Sequence, residues 1–541
     1  MIKTRAKTCF LSVVAVLAVA TALGAQQAGS SLLEAVRTGN VKALRSLLDR
    51  QANVNSSLGD GAKPLHWAAY YQHLDVARIL IDAGADVNAA NDYGVTALSL
   101  ACTNGHADMV AELLRANANP NASQWTGETV LMTCARAGNL DAVAELVAKG
   151  ANVKAATRRG QTALMWAVAQ KHSDVARHLI QHGAEVNARS HKLAGFAPLL
   201  YVTFGLYDHV HGEFDKIDPT GGHHDPASSK GGFTPLMFAA RSGDLESAKL
   251  LVEAGADVNA NSEYYGAALV VSAASGHEDV GIYLVEHGAD TNAADEFGLT
   301  ALHYAIREGV TAINLSRDKI PTDNQWHRSN MPGLVKALLD HGADPNARIR
   351  KDFPPLNYLP YVRDDNTALP LFRQVGATPF LLAAATGDLG LMRMLLQKGA
   401  DAKLATEHGT TSLMAAAGLG RSWDRTPKES AAALEAAKII VALGVDVNAK
   451  NWLGRTALHG AASLGANAII EFLVERGAML DPQDKYGTTP LVIAMGKRVA
   501  LGARDRRFNF RPINQHEDTV ELLRTLGAKD VSDTKGPSSG N

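Results

Sequence analysis

Four stretches of this chain carry side chains suited to binding or chemistry. The segment 191–230 holds Asp208, His209, His211, Glu213, Asp215, His223, His224 and Asp225. Imidazole and carboxylate groups are common ligands of zinc and other divalent ions, which makes His209, His211, His223 and His224 a candidate metal site. The pattern is loose. No HExxH helix or spaced cysteine set supports it, and solvated loop histidines are the ordinary alternative.

The other three stretches place arginine beside aromatic rings. The first has Arg317, Lys319, Trp326, His327 and Arg328; the second has Arg421, Trp423, Arg425 and Lys428. The third has Arg504, Arg506, Arg507, Phe508, Phe510 and Arg511. A planar ring that anchors, next to a guanidinium that pairs with carboxylates in two-pronged fashion, is the composition of binding hot spots. The three carry net charges of +1, +1 and +5, so they point to an acidic partner surface. The competing reading is that the rings tuck long loops onto their own helices.

Composition limits what must position these groups. The chain has 541 residues, 53 Lys+Arg against 55 Asp+Glu, and three cysteines. A single hydrophobic core stops growing near ~250–300 residues, so the chain is either several domains or a core laid out in one dimension. The near-neutral balance excludes a polybasic nucleic-acid binder, and three cysteines exclude a disulfide scaffold. No P-loop, Gly-x-Ser-x-Gly elbow, HExxH or Cys-x-x-Cys is present, and no cofactor is implied.

Residues 1–25 read as a signal peptide. Lys3, Arg5 and Lys7 precede an apolar run from Cys9 to Leu23, followed by Gly24 and Ala25. The run is shorter than the ~20 residues of a spanning helix. Cleavage after Ala25 or Ala22 and an uncleaved anchor all remain open. Removal leaves a net charge of −5 and two cysteines, Cys102 and Cys134. An exported, periplasmic or secreted chain without a stable transmembrane span is expected.

Self-alignment supplies the positioning elements. Lys63-Pro64-Leu65-His66, Thr96-Ala97-Leu98, Thr129-Val130-Leu131 and Thr162-Ala163-Leu164 recur at one constant spacing. The landmark returns at Thr234, Ala267, Thr300, Thr378, Thr411, Thr456 and Thr489. A second landmark follows at a fixed offset from each full-length start, as in Asp86-Val87-Asn88 and Asp257-Val258-Asn259. Between them, apolar residues recur with helical spacing in helices of about two turns, too short to stand alone. Thr at the first landmark suits a helix cap, and the Gly-Ala before the second suits a helix stop.

These landmarks resemble the ankyrin repeat, with its period of about 33 residues and its T-P-L-H-x-A signature. The resemblance covers about residues 31–528 as twelve repeats. It implies an all-α solenoid with projecting hairpins or turns. Ser31–Asn55 reads as the N-terminal cap. Cys102 and Cys134 fall where other repeats have alanine or serine, and they read as small buried side chains, though an exported protein could oxidise them.

The division expected is repeats over 30–190, the 191–230 insertion (which begins a decayed repeat at Ala197-Pro198-Leu199-Leu200 in one reading), and repeats over 231–348 with an insertion at 310–331. A Pro/Tyr insertion follows at 349–375. Repeats then fill 376–528, with insertions near 419–430 and 497–515, before a polar tail at 529–541. The three basic insertions fall at the junction between the two helices of the eighth, tenth and twelfth repeats, so they are expected to project from one edge.

The resemblance also implies protein binding through hairpin tips and first helices. Tip positions include Tyr93, Trp125, Arg159, Tyr264, Tyr265, Phe297, His408, Trp452 and Tyr486, with Tyr70 and Tyr71 ending a first helix. Packing of each tip on the next is the other reading. The expected molecule is a monomeric, non-catalytic scaffold for a protein partner, with no specific nucleic acid. Metal-dependent activity of 191–230, or attachment to an anionic surface through the basic edge, is the alternative.

Overall fold

The computed structural model describes residues 31–57, 59–191, 193–194, 229–306, 329–351, 374–420, 425–496 and 515–529. These residues form twelve helix pairs in two compact units. The first unit runs to Leu193 and takes in Gly231–Asp257; the second continues from Val258. Each holds six pairs.

The third repeat shows why such short helices form. Thr96 is extended, and its hydroxyl accepts the N–H of Ser99 at 3.2 Å while Ser99 Oγ accepts the N–H of Thr96 at 2.9 Å. This reciprocal cap satisfies two otherwise unpaired donors at the start of Ala97–Thr103. The helix then buries Ala97, Leu98, Ala101 and Cys102. Its partner Ala107–Arg115 buries Met109, Val110, Leu113 and Leu114 on one stripe. Helices this short would not persist in water, so burial against neighbouring pairs supplies the stability.

Gly138 ends the first helix of the next repeat, Val130–Ala137, at φ 75°. A Cβ there would lie 2.3 Å from the ring of His172, whose Nε2–H donates to the carbonyl of Arg136. Both the left-handed backbone and the close ring require glycine.

Asparagines couple successive repeats. Asn55 Nδ2 donates to the carbonyl of Gly84, and its Oδ1 accepts the N–H of Asp86. The same double bridge is made by Asn88, Asn121, Asn187, Asn259, Asn292, Asn346 and Asn448. Lys154 and Lys403 take this step in two repeats.

The long insertions enter without disturbing this frame. An ordinary hairpin closes with one backbone bond, Asn91 N–H to Val95 O, Gln124 to Glu128 or Thr157 to Gln161. Ser190 N–H donates to Phe233 O at 2.9 Å in the same way, so the residues between them replace a hairpin tip. Ile349 to Ala377, at 3.2 Å, closes the Pro/Tyr insertion alike.

Two junction insertions are equally clean. His106 N–H bonds Ala101 O between the helices of an uninserted repeat. Met331 to Ala305 and His516 to Ala494 repeat that bond across the eighth and twelfth repeats. The tenth differs from expectation. Much of its extra length is helix, because Pro427–Ala442 has 16 residues where most second helices have nine. Thr426 and Glu429 form a capping box that starts this helix early. Its added turns pass close over Gly387 of the preceding repeat.

Cys102 and Cys134 form a disulfide with Cα atoms 4.5 Å apart, both fully buried. The expectation of two separate small side chains is corrected. Although 32 residues apart, they lie on the first helices of adjacent repeats, which stacking brings side by side. Among the described residues no helix is long and apolar enough to cross a membrane.

Candidate functional site

The hairpins of the first unit are held by backbone and leave their side chains outside. Asn91 Oδ1 accepts the N–H groups of Tyr93 and Val95 at 3.0 and 2.9 Å, which folds the tip. Trp125 N–H then bonds the carbonyl of Tyr93 at 3.4 Å, so the next tip lies alongside. Tyr93 is 57% exposed and Trp125 49%. Among the described residues neither ring stacks on another aromatic side chain. Arg158 and Arg159 are exposed on the following hairpin.

The first helices of this unit add a second row. Trp67 stacks on Tyr71, and Tyr70 meets Tyr71 edge-on at 5.0 Å. Arg136 lies 5.3 Å over the Trp166 ring, and its guanidinium pairs with Glu128 at 3.2 Å. Thr133 donates to the same carboxylate at 3.1 Å. Sequence reasoning did not single out Trp67, Arg136 or Trp166. Trp67 and Trp166 share one step of the repeat with Phe238 and Tyr304, so comparing that column alone finds them.

Hairpins of the second unit spend their aromatics on each other. Tyr264 is buried, edge-on to Tyr265 at 4.7 Å and to Phe297 at 5.8 Å. Phe297 is only 9% exposed, which corrects its expected place at an open tip. Tyr265 is half-buried. Trp452 is also half-buried, edge-on to His408 at 6.0 Å with the Lys485 ammonium 4.9 Å from its ring. Tyr486 stays 41% exposed.

A half-buried carboxyl lies beside this cluster. Asp295 Oδ1 accepts the N–H groups of Phe297 and Leu299, and Oδ2 accepts Tyr304 Oη–H at 2.7 Å. Burial outweighs these bonds and pushes its pKa up to about 6. Burial, with Glu296 and Asp295 nearby, raises Tyr264 to about 12. Burial also holds His303 and His459 neutral, down at about 4. His459 Nδ1 accepts the N–H of Thr456, and Nε2 donates to Thr488 O in the next repeat. His66 links Lys63 to Val95 likewise.

Of the junction residues singled out by sequence, Arg425 and Lys428 are described, and Lys428 lies in the first turn of Pro427–Ala442. Arg425 Nη2 donates to Ala416 O at 2.6 Å, closing the end of the first helix Ser412–Ala416. Trp326, Arg328, Arg421, Trp423, Arg506, Arg507, Phe508 and Phe510 lie outside the described residues, as do His209, His211, His223 and His224. Among the described residues no group of three or more His, Cys, Asp or Glu is placed to hold a metal ion.

Comparison with known proteins agrees with the fold. A model described as ankyrin repeats in three copies matches residues 32–124, 116–190, 236–316 and 429–501, and a single-repeat model matches 375–407. The chain is 29% identical over 200 residues to the ankyrin repeat protein YahD of Escherichia coli (strain K12), covering 36% of this chain and 73% of that protein. It is 34% identical over 119 residues to the B-cell lymphoma 3 protein homolog of Mus musculus, covering 22% of this chain and 25% of the relative. It is 39% identical over 62 residues to serine/threonine-protein kinase 12 of Arabidopsis thaliana, 12% of this chain and 14% of that protein. The chain thus spans a quarter or less of the last two relatives. With matches over more than half its length and a repeat frame that accounts for every described helix pair, the chain belongs to the ankyrin repeat family.

Proposed function

We propose that this protein is an exported, non-catalytic scaffold that binds a protein partner. The observation that carries the reading is the pair of neighbouring tips with Tyr93 and Trp125 both about half exposed on backbone-locked hairpins. Large aromatic side chains held open at low entropic cost are the usual anchors of protein interfaces. The exposed Arg158 on the following hairpin favours a partner with acidic groups beside its apolar contact. Export rests on the basic-then-apolar segment 1–25, and a disulfide between the remaining cysteines suits an oxidising compartment.

Affinity capture with the mature chain tests this. The Tyr93→Ala/Trp125→Ala variant should retain the wild-type fold by circular dichroism and lose the specifically retained protein. Retention of the same protein in the same amount by both would overturn the tip assignment.

A further inference from the structure

The disulfide links the two helices that carry the exposed tips. The Tyr93 hairpin closes on Thr96 and runs straight into Ala97–Thr103, which bears Cys102. The Trp125 hairpin closes on Thr129 and runs into Val130–Ala137, which bears Cys134. Between the tips themselves the backbone supplies one long bond, Trp125 N–H to Tyr93 O at 3.4 Å. Their spacing therefore depends on how firmly the two helices are held together.

Packing alone does not call for sulfur here. The step occupied by Cys134 is Ala68, Ala101, Ala167 and Ala239 in other repeats of the same unit. The Cα separation of 4.5 Å lies within the range that a disulfide spans. Cys9, the third cysteine, lies within segment 1–25. Once that segment is removed, no other thiol of the chain competes for either partner.

We propose that the Cys102–Cys134 bond is a permanent clamp, made in a thiol-oxidising compartment, that fuses the third and fourth repeats into one opening unit and fixes the spacing of the Tyr93 and Trp125 tips. The role of the tips rests on the binding reading above; the clamp itself does not. In a solenoid each repeat contacts only its neighbours, so local opening between adjacent repeats is the natural weak mode. A crosslink closing a loop of 32 residues opposes that opening. Both sulfurs lack access to solvent, so no thiolate can attack in line until the repeats part. The bond thus behaves as a fixture and not as a switch. In forming it, two thiols lose two protons and two electrons, and the S–S bond forms as an oxidising disulfide of a thiol-exchange partner is reduced to a dithiol.

The test uses the full chain, made with segment 1–25 in place in a secreting host. Denaturation in iodoacetamide followed by intact-mass analysis should find no alkyl group on Cys102 or Cys134. Hydrogen exchange in residues 97–148 should then quicken by roughly 10²–10³-fold in the Cys102→Ala/Cys134→Ala variant. Wild type reduced while unfolded and refolded in reductant should match that variant, and reductant should leave the variant unchanged. If the double variant does not fold, oxidised and reduced wild type supply the same comparison. Two alkylated cysteines in protein from the oxidising compartment, or equal exchange with and without the bond, would overturn the clamp. Neither measurement needs a partner, so failure of the clamp and failure of tip binding are separately visible.

Discussion

Asn187 donates from Nδ2 to the carbonyl of Gly255 at 3.1 Å, although 68 residues separate them. Ordinary repeats make this bond over 29 residues. The inserted segment is therefore bypassed by the coupling between repeats. Replacing residues 191–232 with a three-residue tip should shift the unfolding midpoint of the first unit by only a few degrees, because loop-closure entropy changes slowly with length. Differential scanning calorimetry of the two chains checks this.

Lys154 leaves one rung of the asparagine series unmade. Gly183 O and Glu185 N stand at the same offsets, 29 and 31, that Asn55 bridges. Lys154→Asn should stabilise the chain by about 1 kcal/mol through two exposed hydrogen bonds. Urea denaturation of the two proteins gives the difference, and a fall in stability would show that the turn cannot close there.

The buried histidines set an acid limit. His303 and His459 have folded pKa values near 4, below the ordinary 6.5. The stability of their neutral forms is complete above pH 6.5 and is lost as pH falls from 6.5 towards 4. By pH 5 each should cost about 2 kcal/mol. Chemical denaturation at pH 7.5 and 5.0 measures the loss, and His459→Gln should remove about half of it.

Asp295 acts in the opposite sense. Its folded pKa of about 6 lies above the ordinary 3.8. Its contribution therefore favours the fold below pH 3.8 and is lost as pH rises through 6. Asn91 and Asn451 occupy the same tip position and accept the same pair of backbone N–H groups. Asp295→Asn should then gain about 1 kcal/mol at pH 7.5, discounted for the water that reaches the hairpin, and little at pH 4. Equal effects at both pH values would rule out this origin.

Arg425 closes a helix end, so its loss should be felt in the fold. Arg425→Ala should cost about 1–2 kcal/mol by leaving the Ala416 carbonyl without its charged donor. Thr426→Ala, which removes the neighbouring cap, should cost about 1 kcal/mol. Thermal melts distinguish these losses from a surface role, which would leave stability unchanged.

The frame was legible in the sequence because most repeats restate the same few constraints. A Thr must cap, a Gly must turn left-handed, and an Asn must reach the next repeat; each leaves a letter at a fixed offset. Exposure of a tip leaves no such letter. Tyr93 and Phe297 look alike in the alignment, yet Phe297 meets a neighbouring tyrosine and Tyr93 does not. That difference lies in the adjacent hairpin. The cysteine pair escaped for a related reason: Cys102 and Cys134 sit one step out of phase, and only the lateral contact of stacked helices joins them. The Thr426-Pro427-Lys428-Glu429 box is readable as a helix start, although the extra length around it reads as a loop.

The closure bonds at Ser190–Phe233, Ile349–Ala377, Ala305–Met331 and Ala494–His516 have a bearing on how such a chain can change. Each is a socket of two backbone atoms whose form is independent of what is plugged into it. Long segments can enter or leave there while the neighbouring repeat meets the same donor and acceptor. New surface can thus be trialled at those points without renegotiating the core, and a segment grafted between the same two atoms would inherit a ready-made foothold.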